Sequence, residues 1–353
     1  MTLSRLDEIL AGMEQAAVAV VGDFFLDKYL EIDPALAETS LETGLEARQV
    51  VGIRCQPGAA GTIVANLCAL GVRRVVCIGF VGDDGEGFDL LRGLRALGAE
   101  TQGLVVRADR FTPTYCKPLL LLPDGRLREL ERLDTKNRRP TPPDLAHALV
   151  RAVREAAPHV RAVIAQDQVQ EPECGVITAE MRDALAALAR EHPQVVWFGD
   201  SRVRIGEYRG LVVKPNRQEA CAAVHPGEPA HDAEGAIPCA AALSARTGRP
   251  VYLTLGDRGM ALVTPRRAQL IPTTRLEGPL DIVGAGDSAT AGIVSALCAG
   301  ATLEEAGIVG NVVASITVQQ IGTTGTATRQ QVRQQFERHR DVWRELPPPI
   351  QLA

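Results

Sequence analysis

The chain is expected to fold as an α/β protein, with a mainly parallel central sheet covered by helices and a small β-sheet lid. Two observations predict this. Apolar strand-like runs alternate with helix-like segments along most of the sequence, and two extended segments interrupt that alternation. A third observation marks the site. The run Asp281-Ile282-Val283-Gly284-Ala285-Gly286-Asp287-Ser288 closes an extended stretch and opens an apolar, small-residue one.

The elements follow in order. Residues 17–22 read as a strand, and residues 62–70 as a helix ended by Gly71. A second strand, 75–80, leads to a helix over 86–97 that Gly98 ends. A strand at 160–165, a helix at 178–191 and short strands at 195–198 and 211–213 come next. Then follow a helix over 232–247, a strand at 251–255 and helices at 288–299 and 303–321. Residues 30–55 and 112–132 lack helical periodicity and cannot be layered into the core, so they are assigned to the lid. Pro140 to Pro143 reads as a hinge or helix lead-in, and the tail from Pro347 as loose. One domain spans residues 1–353, with the lid inserted in it.

Composition narrows the class. Hydrophobic residues make up 46% and charged residues 23%, as in soluble globular proteins. A net charge of −5 argues against a broad nucleic-acid surface, and no apolar run is long enough to span a membrane. Residues 1–14 are polar and amphipathic, unlike a signal peptide. The eight cysteines form no Cys-x-x-Cys pair and the six histidines no metal-binding cluster. These features imply reduced thiols, a cytoplasmic location and no structural zinc.

The glycine–aspartate run has a physical use. Backbone N–H groups at a helix start are unpaired and bind anions. Gly284, Ala285 and Gly286 would let a phosphate approach that backbone. Asp287 would then sit beside the anion, where a carboxylate can take a proton from an attacking hydroxyl. The competing reading makes Asp287 an N-cap of a tight turn.

Several further motifs, in order, resemble the ribokinase-like (PfkB) carbohydrate kinases. They are Val21-Gly22-Asp23 with Asp27, Pro57-Gly58-Ala59-Ala60 leading to Asn66, Gly79 to Gly87, Lys214-Pro215-Asn216 with Glu219, Thr254-Leu255-Gly256 with Gly259, and 281–287. The resemblance runs from about residue 18 to about residue 326. It implies a three-layer core and ATP-dependent phosphorylation of a sugar hydroxyl. Within the family the chain is most similar to bacterial heptose-phosphate kinases, through 21–29, Arg132-Leu133-Asp134 and Gln320-Ile321-Gly322-Thr323. Bifunctional members carry a nucleotidyltransferase domain after the kinase; this chain has no room for one before residue 353 and no His-x-Gly-His sequence.

The resemblance implies roles. Asp287 is the general base, with Gly284, Ala285 and Gly286 as the anion hole. Asn216 and Glu219 organise magnesium and the nucleotide phosphates, Glu219 through water; by themselves they also fit a helix-start pattern. Thr254, Gly256 and Gly259 line the nucleotide loop, with Asn311 beside adenine. On the sugar side stand Asp23, Asp27, Gly58 and Thr62. Lys117, Arg128 and Arg132 on the lid would hold a phosphate already on the sugar. Asp281 would hold a monovalent cation, potassium, with carbonyls near Gly322. ATP and magnesium are thus the expected cofactors, and a small sugar or sugar phosphate the partner. The family's usual asparagine is replaced here by Thr62, and a lysine expected after the middle strand is missing from Asp167-Gln168-Val169-Gln170. These departures keep open a kinase for an unphosphorylated sugar or a nucleoside, and a weakly catalytic sensor. An NAD-dependent enzyme is set aside, because Gly22-Asp23-Phe24-Phe25 offers no Gly-x-Gly-x-x-Gly. The leucine run 119–122 exposes apolar side chains on either face of a lid strand, so the lid is expected to pair two copies into a homodimer.

Overall fold

β-branched and small apolar residues dominate the strand sequences, and the chain builds two sheets from them. In the computed structural model, which describes residues 1–229 and 232–352, the first helix and strand are α1 (Leu3–Gly12) and β1 (Ala17–Gly22). Two long strands follow, β2 (Phe24–Thr39) and β3 (Glu46–Ala59), then α2 (Ala60–Ala69), β4 (Arg74–Gly82), α3 (Gly85–Ala96) and β5 (Glu100–Arg107). The lid is completed by β6 (Thr114–Leu121), β7 (Leu127–Glu129) and β8 (Leu133–Thr135). The second half runs α4 (Pro143–Ala156), β9 (Ala162–Asp167), α5 (Ala179–Glu191), β10 (Val196–Ser201), β11 (Val212–Val213), α6 (Arg217–Val224) and α7 (Ala236–Thr247). It ends with β12 (Val251–Thr254), β13 (Met260–Thr264), β14 (Arg267–Ile271), α8 (Ala285–Cys298), α9 (Leu303–Thr317), α10 (Arg329–Arg338) and β15 (Ile350–Gln351).

The central sheet has the order β15-β14-β13-β12-β11-β10-β9-β1-β4-β5. From β5 to β12 every pairing is parallel, and β12 to β15 pair antiparallel. Period-two alternation in β1 splits the core. Val18 and Val20 pack with α1, α2, α8 and α9, while Ala19 and Val21 pack with α4, α5 and α7. The result is helix, sheet and helix in three layers. Each such fully buried valine contributes on the order of 1.5–3 kcal/mol.

The second sheet has the order β3-β2-β6-β7, with β8 on β6. β2 starts only two positions after β1 ends, so a single residue, Asp23, joins core to lid. Alternation sorts the lid's side chains by face. Register places Asp27 beside Gln56 and Tyr115, and Tyr29 beside Arg54 and Lys117. Leu120 pairs with Arg128, one position out of phase with Lys117, so Arg128 lies on the opposite face.

Some boundaries differ from expectation. The helix expected from 232 begins at Ala236, and the last long helix stops at Thr317. The tail is ordered: β15 pairs with β14, and Gln269 Nε2 donates to the carbonyl of Pro347. α10 was not expected, since its sequence RQQVRQQFER buries only Val332, Gln335 and Phe336.

Candidate active site

The site is built where α8 begins. Gly284 takes φ +79° and caps the helix, and a Cβ there would lie 3.3 Å from the side chains of Thr62 and Thr324. The amide of Ala285 donates to the carbonyl of Ile282 (3.2 Å), and the helical ladder starts with Ser288 N–H to Gly284 (2.9 Å). The first-turn amides ahead of that ladder are those of Gly286 and Asp287. Of the three amides expected to bind the anion, that of Ala285 is thus already bonded within the turn, and that of Gly286 stands in the first helical turn with Asp287. Asp287 is in the first helical turn and is not its cap.

Around Asp287 stand groups from four different segments. Gln166 Nε2, at the end of β9, donates to Asp287 Oδ1 at 3.2 Å. Burial pushes the Asp287 carboxyl up to about 7; Asp200 and Asp27 add to the rise, and Lys214 and Arg202 oppose it. Lys214 is buried, with its Nζ 2.8 Å from Asp200 Oδ2 and 3.4 Å from where a Cβ on Gly286 would be. Burial favours its neutral form, but Asp200 outweighs this and holds it above the ordinary lysine range. Thr290 Oγ1 donates to the same Asp200 oxygen at 3.2 Å. One cation and one helix start thus converge on the space in front of Asp287, a geometry suited to phosphoryl oxygens.

The nucleotide end is less free than expected. Asn216 and Glu219 form a reciprocal capping box: Asn216 Oδ1 accepts from Glu219 N–H (2.9 Å), and Glu219 Oε2 from Asn216 N–H (2.8 Å). Glu219 is also pushed up to about 7, by burial and then by Asp200, with Lys214 pulling the other way. Thr254 bridges Asn216, and its N–H donates to Pro215. Gly256 and Gly259 have φ of +65° and +84°, and a Cβ at Gly259 would lie 2.4 Å from the Ile271 carbonyl. No neighbour approaches within 4 Å of a Cβ at Gly256, so that turn is open to a ligand. Asn311 does not face a ligand through its amide N–H groups, which donate to Ile271 and Pro272 (2.9 and 3.1 Å).

Asp23 is placed differently from expectation. It is 3% exposed, and its carboxylate accepts from the backbone N–H groups of Gln168, Val169 and Val176 at 2.7–2.9 Å. It anchors the 167–176 loop instead of facing an open cleft. Burial, then Asp167, pushes its carboxyl up to about 6 against the pull of those amides. In this loop Asp167 pairs with Arg204 at 2.6 Å, and Arg204 also donates to the carbonyls of Val169 and Gln170.

Asp27 is the lid's inward carboxylate. It lies 3.4 Å from Lys117 Nζ, and a Cβ on Gly58 would come within 2.9 Å of its Oδ2. Burial raises the Asp27 carboxyl while Lys117 lowers it. Lys117 donates to Tyr29 Oη, and both Lys117 and Arg54 stack on that ring, at 4.8 and 3.8 Å. Arg132 stacks on Tyr115 at 4.0 Å and pairs with Asp134. Arg128 lines a separate groove with Ile32, Asp33, Leu120 and Leu130. The lid closes on the core through Gln56, which bonds Thr323 and Thr324, and through Arg54, which donates to the Gly322 carbonyl at 2.8 Å.

Asp281 and Gly322 are neighbours, since Asp281 Oδ2 accepts from Gly322 N–H at 2.9 Å. Oδ1 accepts from Val283 N–H, and the Gly322 carbonyl is already bonded to Arg54. Among the described residues, no three His, Cys, Asp or Glu side chains form a cluster able to hold a metal ion. A Glu219 reaching magnesium through water needs no such cluster, and its Oε1 is outside the capping box.

Sequence reasoning missed three members of the site. Lys214 stands inside a motif read for its asparagine, while Gln166 and Asp200 end neighbouring strands. The available signal was polar residues closing apolar strand runs, the carboxyl-end position at which α/β clefts open.

Residues 204–329 match the model of the pfkB family carbohydrate kinases. The chain is 31% identical over 291 residues to the bifunctional protein HldE of Gluconobacter oxydans, covering 82% of this chain and 58% of that one. It is 29% identical over 292 residues to HldE of Desulfatibacillum aliphaticivorans, covering 82% and 57%. The chain thus spans less than two thirds of these relatives' length. Among solved structures, Arabidopsis thaliana ribokinase complexed with ribose and ATP superposes with a TM-score of 0.67 at 18% identity, covering 91% of this chain and 99% of that one. Phosphofructokinase-2 of Escherichia coli, in complex with potassium, gives 0.68 at 15% identity, covering 92% and 98%. These two likenesses concern the fold.

Proposed function

Because the chain belongs to the pfkB carbohydrate kinase family, we propose that it transfers a phosphoryl group from ATP to a hydroxyl of a sugar phosphate, of the heptose-phosphate type. The observation that carries this is the convergence at α8: a half-buried Asp287 beside first-turn amides, with the Lys214 ammonium next to Gly286. Asp287 takes the proton of the acceptor hydroxyl. The Gly286 and Asp287 amides and Lys214 stabilise charge on the phosphoryl oxygens. ATP supplies the phosphoryl group, and magnesium, held by Glu219 through water, would offset its charge. The turn at Gly256 is open for the nucleotide, while Gly259 lets the turn pack against the Ile271 carbonyl. The closed lid excludes water that would otherwise compete for ATP.

A phosphate on the acceptor is supported by the cations of the lid's inner face. Lys117 is 7% exposed and Arg132 partly so, and both sit against aromatic rings near Asp27. Arg54 joins them on Tyr29. Asp281 with the Gly322 segment is the proposed potassium site. The proposed homodimer uses exposed apolar residues of the lid, among them Val51 and Ile53 on β3 and Leu133 on β8. The leucine run is not the patch expected: Leu119 is buried and Leu120 to Leu122 are half-buried. A cytoplasmic location fits ATP use and the eight unpaired thiols.

An ATP-consumption screen of sugars and their phosphates tests this reading. Phosphorylated sugars are expected to give the higher kcat/KM. Turnover of free sugars alone would reject the phosphate, and no consumption with any acceptor would favour a sensor over a kinase.

A further inference from the structure

Two buried polar atoms without a hydrogen-bond partner lie at the acceptor end of the site: Gln166 Oε1 and Thr62 Oγ1. Gln166 is 4% exposed and Thr62 1%. A buried carbonyl or hydroxyl left unpartnered destabilises a fold, so such groups call for a function. Thr62 lies against the α8 turn, with its Cγ2 3.3 Å from a Cβ placed on Gly284. Gln166 is held firmly from its backbone outward. It pairs in register with Gly22 on one side and Asp200 on the other, and its carbonyl accepts from Asp23 N–H at 3.1 Å. A Cβ on Gly22 would lie 2.2 Å from the Gln166 carbonyl oxygen and 2.9 Å from its Cβ, so glycine at 22 makes room for this side chain.

We propose that Gln166 is a positioning residue for the base: its N–H holds Asp287 Oδ1, and its Oε1, with Thr62 Oγ1, accepts hydrogen bonds from hydroxyls of the sugar. The inference rests on the kinase reading and deepens it. With Oδ1 held, Oδ2 is the atom that meets the nucleophilic hydroxyl. The reverse amide orientation would set Oε1 against the ionised carboxylate, so the N–H faces Asp287 whenever the base is charged. The groups facing Asp287 are Asp200 from β10, Arg202 just beyond it, Lys214 ahead of α6 and Asp27 from the lid. Gln166 is a neutral donor among these charges, and it fixes the carboxylate's direction without neutralising it. Sugar hydroxyls donate as well as accept, so they satisfy both orphaned oxygens.

Three variants test this. Gln166→Leu is expected to lower kcat about tenfold or more and to raise the KM for sugar several-fold, the usual size of one lost hydrogen bond, with the KM for ATP unchanged. It should also move the acidic limb of kcat/KM to higher pH, because a hydrogen bond to the charged form is lost. Gln166→Glu keeps an acceptor but sets a second carboxylate beside the base, so its limb should move further. Thr62→Val should raise only the sugar KM. Thr62→Val should melt no lower than the wild type, since it removes an orphaned polar atom and breaks no side-chain hydrogen bond. A carbon-13 titration of the Asp287 carboxyl in the ligand-free protein reads the same pH shift without turnover. If the wild type phosphorylates no sugar, the kinase reading fails, and this titration still decides whether Gln166 positions Asp287. An identical Asp287 titration in wild type and Gln166→Leu, or an unchanged sugar KM in both Gln166→Leu and Thr62→Val, would overturn the proposal.

Discussion

Asp287→Asn removes the base with almost no change of shape, and its consequences can be worked from the site. The asparagine fills the same volume in the first turn of α8, so ATP binding should be largely retained. Loss of a positioned base lowers turnover by about 10²–10⁴-fold. The pH profile gives an independent handle. Burial and Asp200 push the wild-type carboxyl up to about 7. About half the protein then carries the ionised base at pH 7, about a tenth at pH 6 and about nine tenths at pH 8. kcat/KM should rise about tenfold from pH 5 to pH 6 and less than twofold from pH 7 to pH 8, while the residual rate of Asp287→Asn should lack this limb. Stability should respond in the opposite sense. The folded-state value is above the unfolded one near 4, so the native protein holds the proton more tightly and this group's contribution falls as pH rises from about 4 to about 7. The full cost at pH 8 is at most about 4 kcal/mol, and less where solvent reaches the half-buried carboxylate. Asp287→Asn should therefore melt higher than the wild type at pH 8 and nearly equal to it at pH 4. The assays are coupled ATP consumption against saturating sugar from pH 5 to 8.5, and thermal melts over the same range extended to pH 4. A variant with near-normal turnover, or a wild type with no acidic limb near neutrality, would refute the assignment.

Two further outcomes are expected. Potassium should activate the enzyme through Asp281 and the 318–325 segment; equal rates in potassium and in a tetraalkylammonium buffer would rule that site out. Sedimentation at micromolar concentration should give a dimer that Ile53→Glu dissociates with a loss of sugar affinity, Ile53 being 66% exposed on β3; a wild-type monomer would end that proposal.

Local chemistry was legible in the sequence because it is made by neighbours in the chain. Strand and helix alternation follows from which positions are apolar, and the three-layer core follows from it. Gly284 and Gly286 announced the α8 entrance, and Asn216 with Glu219 announced a helix start, since a capping box needs only residues three apart. The tertiary structure decided what depends on strand order and register. β1 lies between β4 and β9, and β9 next to β10, which brings Gln166 and Asp200 side by side from positions 34 apart in the chain. That adjacency, and the return of the chain through α8, put both beside Asp287 and Lys214. Register set which lid residues face inward: one position of phase keeps Lys117 at Asp27 and sends Arg128 to the other face. Burial took Asp23 out of the open cleft, because the three amides of the 167–176 loop needed an acceptor where β1 ends. Spacing along the chain carries hydrogen bonds a few residues long, whereas the charges that tune Asp287 act through space, and only the packed sheet fixes their distances.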